Sequence, residues 1–109
     1  MNATAAKLQF HRVEAGRYQA DSETRRYTVA RDGKGWIVTA WKLAEQSGIK
    51  HTIGQSVEAD MWMETKALAV DVARRYDQLI TEGYGSKFSD LSPIRRAAVD
   101  AYDAEENWS

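Results

Sequence analysis

Asp32-Gly33-Lys34-Gly35 separates two runs, residues 25–31 and 35–43, that are both rich in β-branched and aromatic side chains. An Asp-Gly pair supplies the positive φ that a tight connection between twisted antiparallel strands requires. The segment therefore predicts a β-hairpin, and the two-residue strand period predicts its faces. Centring the turn on Gly33-Lys34 pairs Arg31 with Trp36, Val29 with Val38 and Tyr27 with Ala40 on one face, the better candidate for the core. Arg26, Thr28, Ala30, Ile37, Thr39 and Trp41 share the other face, which is less polar than a solvated surface needs.

The flanking sequence extends this hairpin into an α+β domain. Residues 7–13 read as a first strand, Glu14-Ala15-Gly16 as a loop with glycine at the position of positive φ, and residues 17–21 as a second strand. Residues 44–60 are loop-like around Gly48 and Gly54, and residues 60–63 are a candidate for a last short strand. Thr65 is a helix N-cap, and Leu68, Ala69, Val72, Ala73, Tyr76, Leu79 and Ile80 repeat at helical spacing up to Gly83, a natural C′ residue. Ser92-Pro93 opens a second helix running to about residue 106, whose stripe of Ile94, Ala97, Ala98, Ala101 and Tyr102 is mostly small. The expected architecture is a three- to four-stranded antiparallel meander packed on one long helix, followed by a second C-terminal helix. Residues 1–6 form a flexible N-terminus, 7–83 the core domain, and 84–109 a linker and helix with an acidic tail.

Composition narrows the function more by exclusion than by assignment. The 109 residues contain no cysteine, so thiolate metal sites, disulfides and thiol catalysis are excluded. His11 and His51 have no ligand spacing around them, Asp32-Gly33-Lys34-Gly35 precedes no helix, and Glu105-Glu106 sits on a solvated tail. These observations predict a non-enzyme without metal or cofactor. The N-terminal residues lack the apolar segment of a secretory signal, and no apolar run has the length of a membrane span, so a cytoplasmic protein is expected.

Net charge is −1, but residues 7–42 hold eight Lys or Arg against four Asp or Glu, while the last ten residues hold four acids and no base. A basic sheet region followed by a helix, over residues 17–82, resembles in architecture the arm-binding domains of phage integrases, whose sheet enters the major groove. That resemblance implies base contacts by Arg26, Thr28, Thr39 and Trp41, and phosphate contacts by Arg17, Arg25 and Lys42. The module Gly16-Arg17-Tyr18, Arg26-Tyr27-Thr28-Val29, Gly35-Trp36 and Thr65-Lys66 looks like the small accessory proteins of bacteriophages and their high-GC hosts. The resemblance implies a host-directed role, in the host cytoplasm.

Protein binding is the preferred expectation. Trp41, Trp62 and Trp108 exceed what one small core needs, and tryptophan is a favoured interface anchor. Ile94 and Tyr102, on the weak second stripe, complete the candidate surface for a protein partner or a second copy. Nothing in the chain indicates a small-molecule ligand.

Overall fold

The computed structural model describes residues 8–23, 25–43, 56–83 and 92–106. The expected flexible terminus, most of the 44–60 connection, the 84–88 linker, His51 and Trp108 lie outside those residues. Five strands form one antiparallel sheet in sequence order: β1 (His11–Glu14), β2 (Arg17–Asp21), β3 (Arg25–Asp32), β4 (Gly35–Lys42) and β5 (Ser56–Met63). Two helices follow, α1 (Lys66–Thr81) and α2 (Pro93–Glu106).

The α+β class holds, with five strands where three to four were expected. The added length is in β5, which begins at Ser56 and pairs with β4 along its whole length. Its alternation is broken by a bulge opposite Ala40 and Trp41, which hides the two-residue period from the sequence. β1 starts at His11 rather than residue 7, and Glu14 pairs with Arg17, so the first hairpin loop is Ala15-Gly16 with Gly16 at φ 73°. The central hairpin has the expected register, Tyr27 to Ala40, Val29 to Val38 and Arg31 to Trp36, with Gly33 at φ 61°.

One face of the sheet carries the core. Tyr27, Val29, Val38, Ala40 and Met63 are buried together with Leu68, Ala69, Val72 and Tyr76 of α1. Burying each of the larger aliphatic side chains contributes about 1.5–3 kcal/mol. The α1 boundaries follow from its caps: Thr65 has extended backbone and its Oγ1 accepts from the Leu68 N–H at 3.1 Å. At the other end Gly83, at φ 86°, donates its N–H to the Ile80 carbonyl at 3.0 Å.

α2 closes on α1 rather than standing apart. Ile94, Ala97, Ala98 and Ala101 are buried in the same cluster as the sheet residues. Three of the four are alanines, whose small side chains allow close packing of one helix on another. The weak stripe is thus a seam between helices. Arg74, on α1, donates from Nε and Nη2 to the Leu8 carbonyl at 3.2 and 3.0 Å, which ties the segment before β1 to the helix layer.

Candidate protein interface

The helices cover one face of the sheet, and the register fixes what the other face presents. Residues that pair across neighbouring strands share a face, so this surface reads as three rows. The first runs Glu14, Arg17, Ala30, Ile37, Trp62. The second runs His11, Gln19, Thr28, Thr39, Asp60, and the third Asp21, Arg26, Trp41, Val57. Polarity therefore changes across the sheet: the β1–β2 side is charged, and the β4–β5 side holds Ile37, Trp41, Val57 and Trp62.

Hydrogen bonds fix both tryptophans. Trp41 donates its indole N–H to Thr28 Oγ1 at 3.0 Å, which lays the ring over β3 and buries Thr28 to 5% exposure. Trp62 donates to the Asp32 carbonyl at 3.4 Å, and its ring lies across Gly35, the one position in β4 where a Cβ would strike it. Gly35 is thus required by the approach of the indole. Trp62 stays 46% exposed and Val57 52% exposed. Trp62 has its N–H engaged and much of its indole open to solvent, the disposition of an interface anchor, while Trp41 is half-buried.

Both edges of the sheet are poorly suited to pairing with another strand. β1 has only four residues and a register shift between Arg12 and Glu14. β5 carries the bulge beside Glu58 and an outward Asp60. Short, bulged and charged edges discourage strand addition. The face offers the larger surface.

A second cluster sits on the helix side, at the end where β3 begins. Glu58 accepts from Arg25 Nε at 2.6 Å and Nη2 at 2.9 Å, and from the Tyr76 hydroxyl at 2.7 Å. Beside it, the Tyr27 hydroxyl donates to Asp77 at 2.8 Å. Every shift here leads away from neutrality. The bond to Arg25 holds the Glu58 carboxyl below its ordinary range, and the bond to Glu58 raises the Arg25 guanidinium. Burial pushes the Tyr27 and Tyr76 hydroxyls well above theirs. Groups held in one protonation state pin the sheet to α1, whereas general acid–base work needs a pKa near the working pH. Among the described residues, no three of His, Cys, Asp and Glu gather as a metal site would need.

The sequence-derived candidates separate on this framework. Arg17, Arg26, Thr28, Thr39 and Trp41 are on the helix-free face, while Arg25 and Lys42 pair with each other across strands on the helix side. The expected phosphate contact Arg25 and the expected base contact Arg26 are both engaged: Arg25 with Glu58, and Arg26 with Asp21 at 2.9 Å. The Asp21 bond raises the Arg26 pKa. Trp41 and Trp62 share the helix-free face. Ile94 does not belong to a surface: it is 7% exposed because it seals α2 to the core. Tyr102 is exposed on α2, and its hydroxyl donates to Glu64, which pushes its pKa up to about 12. Sequence reasoning missed Val57, since the bulge disguised its strand, and left Ile37 out although the hairpin pattern had placed it on this face.

Comparison of the chain with protein-family models, curated proteins and solved structures gives no match. None of the helices described is long and apolar enough to cross a membrane.

Proposed function

We propose that the protein is a small non-enzymatic accessory protein that binds another protein, or a second copy of itself, through the helix-free face of its sheet. The observation that carries this reading is the two apolar pairs on the β4–β5 side of this face, half-buried Ile37 with exposed Trp62 and half-buried Trp41 with exposed Val57, on either side of Thr39 and Asp60. Tryptophan anchors with apolar neighbours, set beside polar residues such as Thr39 and Asp60, suit a protein interface. The blunted sheet edges direct association to the face. A host-directed role for a phage-type protein remains part of this proposal, on the sequence resemblance.

Duplex DNA is the alternative occupant of the face. It receives less support, because Arg26 is neutralised by Asp21, Arg25 is turned to the helix side, and Asp60 and Glu14 interrupt the surface. A phosphate backbone is held by cations free to displace its counterions.

The test is site-specific photo-crosslinking in cells. A crosslinker at Val57, on the face, captures a protein partner or a second copy. One at Val99, also exposed on α2, captures neither. Cross-links from Val99 alone, or from neither position, contradict the proposal.

A further inference from the structure

Cations are distributed unequally between the two ends of the sheet. At the end where β3 begins, the arginines are held in ion pairs, Arg25 with Glu58 and Arg26 with Asp21. The opposite end gathers the β1–β2 turn, the β3–β4 turn and the start of α1. It carries Arg12, Arg17, Arg31, Lys34 and Lys66, none of which has a carboxylate within ion-pairing distance among the described residues.

Two of these cations are positioned by rings. Lys66 Nζ stands 3.6 Å from the Tyr18 ring centre, and the Arg31 guanidinium stands 5.5 Å from that of Trp36. Tyr18 and Trp36 in turn pack against each other at 6.2 Å. The aromatic pair thus holds a cation at each side, an arrangement that keeps charge ordered without neutralising it. Lys34 occupies the tip of the β3–β4 turn. On the other face of the same end, Arg17 and exposed Trp62 lie in one row, three strand spacings or about 14 Å apart.

We propose that this end of the sheet receives an acidic protein segment, with its carboxylates on Arg17, Arg31, Lys34 and Lys66 and an apolar side chain against Trp62 and Ile37. The inference rests on the reading of the helix-free face as a protein interface and supplies the chemistry of the partner. Three features select a peptide over a nucleic acid. The Tyr18 and Trp36 rings are occupied by Lys66 and Arg31, so they are not free for the base stacking that single strands require. Glu14 and Asp32 stand among the cations, and Glu64, bonded to Tyr102, lies beside them. Five cations interspersed with three carboxylates match a short acidic stretch better than a continuous polyanion. The exposed indole adds an apolar anchor that a phosphate backbone cannot use.

The experiment is fluorescence anisotropy with the full chain at low and moderate salt. Its probes are a fluorescein-labelled peptide of alternating Glu and Leu, the same peptide with Gln for Glu, and labelled oligothymidylate. The Glu peptide binds, the Gln peptide binds more weakly, and salt weakens the difference. Lys34→Glu and Arg17→Glu each weaken the Glu peptide about three- to fivefold, as expected for exposed pairs. Arg95→Glu makes the same change of net charge on an exposed side chain of α2 and leaves affinity within about twofold. Circular dichroism confirms that the three variants fold. Absence of Glu-peptide binding at low salt, equal loss in Arg95→Glu, or tighter binding of oligothymidylate overturns the proposal. Failure of the face reading is distinguishable, because Val57 then gives no cross-link while the peptide still binds.

Discussion

The Glu58 carboxylate lies 2.7 Å from the Tyr76 hydroxyl, although strict alternation from Met63 and Met61 would turn Glu58 to the helix-free face. The bulge opposite Ala40 and Trp41 re-aims it toward α1, where it also receives Arg25. Glu58→Gln removes the charge of this pin and is expected to cost about 1–2 kcal/mol in chemical denaturation. The folded-state pKa of Glu58 is lowered, so its contribution is complete above the unfolded carboxyl pKa of about 4.3 and is lost as pH falls through the folded value. The difference in stability between wild type and Glu58→Gln is therefore constant near neutral pH and shrinks in acid.

Tyr27 gives the opposite limb. Burial, then its bond to Asp77, raises its pKa, so the hydroxyl contributes fully below the unfolded value of about 10 and that contribution disappears as pH rises through the folded one. Tyr27→Phe loses about 1 kcal/mol at neutral pH and flattens the alkaline fall in stability. Urea unfolding at neutral and alkaline pH, with absorbance titration of the tyrosinates, measures both effects.

Gly35→Ala places a methyl group against the Trp62 ring and the Met63 carbonyl. The ring must leave its site over the turn, which gives up the bond to Asp32. A red shift of tryptophan emission and a loss of about 1–3 kcal/mol are expected, the usual cost of overpacking.

Ala97 is fully buried in the seam between α1 and α2. Ala97→Leu pushes the helices apart and costs about 1–3 kcal/mol. If α2 were only an attached arm, thermal unfolding of this variant would match wild type.

Local signals with one physical meaning were legible in the sequence, and signals shared by two meanings were not. Asp32-Gly33 specifies a turn, and Thr65 and Gly83 specify helix ends, so the central hairpin and α1 are readable from the residues. The sequence around Glu58 lost its period to the bulge, which hid half of β5 and with it Val57. Ala97 and Ala101 suit either a tight helix seam or an exposed stripe, and only the packing chooses. Trp41 and Trp62 were readable as surplus aromatics. The division of cations into paired and unpaired sets was not, because Arg25 meets its partner 33 residues away.

The face itself is tested most directly by the affinity of the Val57-captured partner, or of self-association, for Trp62→Ala beside Val99→Ala. Trp62→Ala weakens binding at least about tenfold, the loss typical of a buried aromatic anchor, while Val99→Ala leaves it unchanged. Equal binding by wild type and a folded Trp62→Ala protein would contradict the assignment of the helix-free sheet face as the binding surface.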